Sequence, residues 1–103
     1  MPGMSISAEQ IDRPAALNVV VSDDTLMVEL KDGRTVSVPV SWYPRLENAT
    51  AAERQSWELI GSGTGIHWEG VDEDVSVEAL LAGKPSNESQ ASLKRWLANR
   101  TST

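Results

Sequence analysis

Three consecutive runs rich in β-branched residues, ALNVVVSDD, TLMVELKDG and RTVSVPVSWYP, occupy residues 16–44 and narrow the choice of fold more than anything else in the chain. In the second run Leu26, Val28 and Leu30 alternate with Met27, Glu29 and Lys31. In the third, Val36, Val38, Val40 and Trp42 alternate with Thr35, Ser37, Pro39 and Ser41. Successive side chains of a strand point to opposite faces, so a period of two with one apolar face predicts half-buried strands. Asp32-Gly33 is a strong hairpin signal, read here as a type I′ turn with positive φ at both central positions. Asp23-Asp24 predicts the preceding turn. Pro39 has no N–H to give a ladder, so the third strand is an edge or carries a bulge there. Together these predict a three-stranded antiparallel meander.

Beyond Pro44 the period changes. Thr50-Ala51-Ala52-Glu53 reads as a capping box, in which the threonine hydroxyl and the glutamate carboxylate each satisfy a free backbone N–H. The helix it opens is expected to run to Trp57 or Leu59. ELIGSGTGIHW is punctuated by glycine and is expected to hold a fourth strand returning to the sheet. Ser76 then caps a short helix, VEALLA, closed by Gly83 in the left-handed position after it, and Lys84-Pro85 prevents continuation. SNESQASLKRWLANR carries Leu93, Trp96 and Leu97 at helical spacing and predicts a last amphipathic helix. The fold class is therefore α+β. Its expected parts are a loose tail over 1–14, the α+β body over 15–83, and a C-terminal helix with a frayed end over 84–103.

The chain has 103 residues, enough for one core that hides roughly 60–70% of the unfolded surface. It has no cysteine, which excludes thiol chemistry, thiolate metal sites and disulfide staples, and suits a reducing cytoplasm. No apolar run approaches the roughly 20 residues of a membrane span. MPGMSISAEQIDRPAA lacks the basic and apolar segments of a signal peptide, so a cytoplasmic protein is expected. The net charge is −6, and the nine basic residues are scattered rather than clustered. Such a surface repels phosphate backbones, so no direct nucleic-acid binding is expected. It is compatible with docking onto a basic protein.

The single histidine lies in GIHWEGVDEDVSVEALLAG, followed by Glu69, Asp72, Glu73 and Asp74. Zinc takes three or four ligands, usually more than one imidazole or thiolate, and one histidine does not supply them. Asp72, Asp74 and Ser76 match positions 1, 3 and 5 of a calcium loop, but Val77 and Gly83 stand where glycine and glutamate are required. The expectation is instead a histidine bonded to a neighbouring carboxylate or backbone group, on a strand that sends His67 and Trp68 to opposite faces. The acids are read as the start of the helix near Val77, favoured by its dipole. GSGTG lacks the lysine and spacing of a phosphate loop, so its glycines are assigned to a turn or bulge passing close to a tryptophan. No G-x-S-x-G elbow is present. No cofactor, metal or catalytic residue is assigned. The four tryptophans, Trp42, Trp57, Trp68 and Trp96, are assigned to the core, with one or two at an interface.

Taken together, Asp32-Gly33-Arg34, Val38-Pro39, Trp42-Tyr43-Pro44-Arg45-Leu46, Ala49-Thr50, Arg54 with Trp57, Gly65-Ile66-His67-Trp68, Asp72-Glu73-Asp74 and Leu80-Leu81 with Gly83 resemble the bacterial domain-of-unknown-function family 2442. The resemblance runs from about residue 17 to residue 83. It implies a compact α+β domain and no known chemistry. It also implies a genetic context of small standalone proteins beside a second small protein, in a toxin–antitoxin-like arrangement. Other members are fused to a helix-turn-helix, which the roughly 20 residues after Gly83 are too few to form, so no direct transcriptional role is expected.

Two function classes follow. The first is a non-catalytic protein-interaction module, the acidic, antitoxin-like or regulatory half of a two-gene pair, with a small basic protein as partner. Its expected contact surface is Tyr43, Arg45, His67, Trp68, Asp72, Glu73 and Asp74. The alternative is a small enzyme or ligand-binding domain using a pocket around His67, Glu69 and Asp72. A homodimer, formed through the edge strand near Pro39 or the Trp96 helix, is compatible with the first.

Overall fold

The computed structural model describes residues 14–101; residues 1–13, the expected loose tail but for Pro14, and the last two residues lie outside the described part. Strands β1 (Ala16–Val21), β2 (Thr25–Leu30) and β3 (Thr35–Pro39) form the expected meander, in that order. Val28 pairs with Val19 on one side and Val36 on the other, and Leu26 with Val21 and Val38, so one face gathers the aliphatic residues. β3 is an edge strand and ends at Pro39, as the missing N–H requires. The pattern continuing through Val40 and Trp42 does not extend the strand: these residues turn in a 3-10 helix, Val40–Trp42.

The β2–β3 turn departs from type I′. Positive φ occurs at Gly33 (+97°) but not at Asp32. Gly33 N–H donates to the Leu30 carbonyl, and Leu30 N–H to the Arg34 carbonyl, closing a longer loop with a glycine bulge.

Pro44 opens a helix that the sequence pattern did not announce, α1 (Pro44–Glu47). The capping box of Thr50 and Glu53 is present and starts α2 (Ala51–Gln55). This helix stops two residues short of Trp57. Residues Trp57–Ile60 form a strand, β4, with Trp57 and Leu59 half-buried and Glu58 and Ile60 exposed. The expected fourth strand exists as β5 (Gly65–Trp68), but it does not return to the meander. It is the centre of a second antiparallel sheet, β4-β5-β6, completed by β6 (Glu73–Ser76). Ser76 caps α3 (Val77–Leu81) through Ala79 N–H. Gly83 (φ +73°) ends it, with Lys84 N–H bonded to the Ala79 carbonyl and Gly83 N–H to that of Leu80. The final helix is α4 (Gln90–Thr101).

The two sheets share one core. Val19, Leu26, Val28, Leu30 and Val38 from the first meet Ile66, Trp68 and Val75 from the second, with Tyr43, Leu46, Val71, Val77 and Leu80 from the helices and turns. Trp68 is fully buried, and its indole N–H donates to the Arg54 carbonyl at 3.1 Å, so the largest core side chain leaves no polar atom unpaired. Trp42, Trp57 and Trp96 pack at the margin of the core rather than inside it. Among the described residues no helix is long and apolar enough to cross a membrane.

The GSGTG turn joins β4 to β5. Its glycines serve a close approach, but to backbone rather than to a tryptophan. A Cβ at Gly63 (φ +93°) would lie 2.9 Å from the Ala16 carbonyl oxygen at the start of β1.

Candidate functional site

The second sheet assembles the histidine cluster. Across β4, β5 and β6 the register aligns Glu58, His67 and Asp74 in one row. Because Ile66 and Trp68 face the core, His67 faces outward with its row. Its Nδ1 lies 2.5 Å from Asp74 Oδ1 and its Nε2 lies 2.9 Å from Glu69 Oε1. A carboxylate at each ring nitrogen favours the imidazolium, which donates both bonds. The His67 pKa is accordingly raised above its ordinary 6.5, by Asp74 first and Glu69 second. With both nitrogens engaged, neither offers a lone pair to a metal, and among the described residues no group of three or more ligating side chains is positioned around an ion.

Ile60, Gly65 and Ser76 form the next row of the same outer face. There they border an open groove of about 390 Å³ with Pro14, Gly61, Thr64 and Glu78. His67 does not line this groove.

Asp72, Glu73 and Asp74, expected at the start of a helix, do not serve its dipole. Glu73 and Asp74 are strand residues of β6, and Asp72 is a left-handed turn residue (φ +52°) just before it. The acid in the first turn of α3 is Glu78. Strand alternation separates the pair. Asp74 shares the outer row with His67, whereas Glu73 shares a row with Trp57 and Trp68 and is partly buried. Burial pushes the Glu73 pKa up to about 7; the Glu88 charge adds to this and Arg45 opposes it.

A second cluster gathers around Arg45 on α1. Its Nε contacts both carboxylate oxygens of Glu88 (2.9 and 3.0 Å), and Nη2 donates to Oε2 at 2.7 Å. Nη1 donates to the carbonyls of Val71 (3.2 Å) and Asp72 (3.4 Å). Ser92 Oγ donates to Glu88 Oε2 at 2.8 Å. Hydrogen bonding from Arg45 holds the Glu88 pKa below the usual carboxylate range. The Trp96 ring lies against two guanidiniums, Arg45 at 5.2 Å and Arg100 at 4.5 Å from the centroid. Arg100 in turn pairs with Glu53 through two bonds of 3.1 and 2.7 Å.

The seven expected surface residues thus divide. His67 and Asp74 meet on the outer sheet face, and Asp72 is exposed at its edge. Arg45 is partly exposed but engaged by the chain's own Glu88. Tyr43 and Trp68 are 3% and 0% exposed and cannot meet a partner directly, which corrects that part of the expectation. Tyr43 is held by the core, its hydroxyl donating to the Lys84 carbonyl at 3.4 Å. Glu58, Glu53 and Glu88 were not identified as site residues from sequence. The four-residue spacing of Glu88, Ser92, Trp96 and Arg100 was the legible signal for the last of these.

The model of a protein family described as "Protein of unknown function (DUF2442)" matches residues 16–86. A crystal structure of a protein of unknown function from Rhodospirillum rubrum is 30% identical, with a TM-score of 0.63. That likeness covers 80% of this chain and 99% of the other. A solution structure of an uncharacterized protein from Chromobacterium violaceum is 21% identical, with a TM-score of 0.64, and covers 96% and 87% respectively. No curated protein matches the chain.

Proposed function

Since the chain belongs to the DUF2442 family, whose description names no activity, we propose that it is a small non-catalytic protein-interaction module that binds a small basic protein, as the acidic, antitoxin-like partner of a two-gene pair. The observation that carries this reading is the outer face of the second sheet. Glu58, Glu69 and Asp74 are exposed there around the one imidazole of His67, and Glu78 is exposed at the adjoining groove. Even with His67 protonated, four carboxylates outnumber one cation, and exposed Ile60 gives the same face an apolar contact point. A face of this kind attracts a basic partner over distance and orients it on arrival. His67 organises the face rather than reacting on it, since it pins Asp74 and Glu69 in fixed positions.

The test is capture of partners from host extract on the tagged chain, at moderate and high salt. One stoichiometric basic protein, lost as salt rises, is expected on the wild-type chain. Asp74→Lys and Glu58→Lys should each abolish its capture, whereas Asp24→Lys, in the β1–β2 turn, should not. Equal capture by all of these variants would defeat the reading.

A further inference from the structure

Glu88, Ser92, Trp96 and Arg100 recur every four residues and form one stripe along the C-terminal segment, because positions four apart on a helix lie nearly above one another. Ser89 caps this helix, accepting from Ser92 N–H at 3.1 Å, so Glu88 sits just ahead of its first turn. The body answers the stripe in reverse order. Arg45 takes the acid and one side of the tryptophan, and Glu53 takes the terminal arginine. A cation-to-anion surface meeting an anion-to-cation helix fixes the direction in which the helix lies.

Arg45 and Glu53 lie inside the span matched by the family model, whereas the whole stripe lies after residue 86, where that match ends. The connection to the helix is short: Ser86 N–H bonds to the Trp42 carbonyl at 3.0 Å, and from there Asn87, Glu88 and Ser89 lead to α4 without regular structure, Glu88 N–H bonding back to Ser86 Oγ at 3.1 Å. No described residue of α4 is fully buried; Leu93, Trp96 and Leu97 are all partly exposed.

We propose that the face between Arg45 and Glu53 is a helix-docking site that takes, besides its own α4, the α4 of a second copy of this chain, giving a dimer by reciprocal helix exchange. Each copy carries both halves of the recognition, so the exchanged contacts repeat the closed ones. The closed form is favoured when dilute, because its helix is tethered at high effective concentration; exchange gains as protein concentration rises.

The test uses two full-length variants, Arg45→Glu and Glu88→Arg, one of them isotopically labelled. Each alone sets like charges together in its own latch. Mixed, an exchanged dimer pairs opposite charges at both sites, and a chain carrying both substitutions pairs them within one molecule. Native mass spectrometry is expected to show heterodimer on the order of tenfold above the homodimer of either variant, with the doubly substituted chain behaving like wild type. A mixture with no excess of heterodimer overturns the proposal. Should either variant not fold, Glu53→Cys with Arg100→Cys in this cysteine-free chain, joined by a thiol-reactive cross-linker as long as the Arg–Glu pair it replaces, gives a second reading. Covalent dimers linked from position 53 to position 100, increasing with protein concentration before cross-linking, support exchange; a link within one chain at every concentration overturns it.

Discussion

His67 on β5 faces Asp74, its register partner on β6, with 2.5 Å between imidazole and carboxylate, while Glu69 holds the other ring nitrogen. The folded pKa of His67 lies above its ordinary value. The folded state therefore keeps a proton that the unfolded chain releases. The stability this contributes is fully present below about pH 6.5, the unfolded value, and is lost as pH rises through the folded pKa. Thermal unfolding followed against pH should show that loss in the wild-type chain. In His67→Ala the histidine's share of the loss should disappear, leaving the part that Glu73 contributes up to about pH 7, and in Asp74→Asn that share should be reduced, because Asp74 is the larger cause. An unchanged profile in His67→Ala would assign the effect to another group.

Glu73 gives a second pH signature of the same sign. Its folded pKa of about 7 exceeds the ordinary 4.5, chiefly through burial on the row it shares with Trp57 and Trp68. Protonation is favoured in the folded state, so this stability is complete below about pH 4.5 and is lost as pH rises through 7. Glu73→Gln keeps the shape and removes the charge. It should leave stability at pH 4 unchanged and raise it at pH 8 by about 1 kcal/mol, a gain limited by the water that still reaches this partly exposed carboxylate. Denaturant unfolding at the two pH values checks this. A gain of equal size at pH 4 would point to packing rather than charge.

The two pH-sensitive positions, His67 and Glu73, sit on a sheet that is only partly legible in the sequence. The meander was legible because Leu26, Val28 and Leu30 alternate with polar or flexible residues on one strand, and that period alone selects a face. The capping box at Thr50 and the stop at Gly83 were legible because both are completed within a few residues. β6 was not. Glu73-Asp74-Val75-Ser76 has one apolar residue and owes its strand conformation to pairing with β5. β4 was hidden for a related reason: Trp57 and Leu59 follow a well-capped helix with no glycine or proline between, so helical and extended spacing compete. The Arg45–Glu88 pair joins residues 43 apart, which local pattern cannot connect. The histidine's structural role was legible in kind, but its partners depended on which acids the strand turns outward.

Glu53 serves two structures at once, and the capping box can be separated from the latch by substitution. Its carboxylate accepts from Thr50 N–H at 2.8 Å while binding Arg100. Thr50→Ala removes half of the cap and should cost about 1 kcal/mol. Glu53→Ala removes the other half together with the Arg100 pair, and should cost about 1–2 kcal/mol. Glu53→Ala should also free α4, seen as faster amide exchange over residues 90–101, which Thr50→Ala should leave nearly unchanged. Equal exchange in the two variants would mean that Arg100–Glu53 does not hold the helix.

Gly33 and Gly63 have nearly the same positive φ, +97° and +93°, but different surroundings. A Cβ at Gly33 would meet nothing within 4 Å, so Gly33→Ala should cost only the left-handed backbone penalty, about 1 kcal/mol. At Gly63 the added atom would stand 2.9 Å from the Ala16 carbonyl oxygen and 3.3 Å from the Ala15 side chain. Neither can rotate away. The Ala16 carbonyl belongs to β1, whose neighbouring residue Ala15 accepts from Lys31 N–H, so the clash is passed to the first sheet. Gly63→Ala should therefore cost about 2–4 kcal/mol. Denaturant midpoints for the two variants decide the matter. A clear excess for Gly63 identifies the β4–β5 turn as a rigid stop between the sheets, whereas equal losses would mean that β1 yields to it freely.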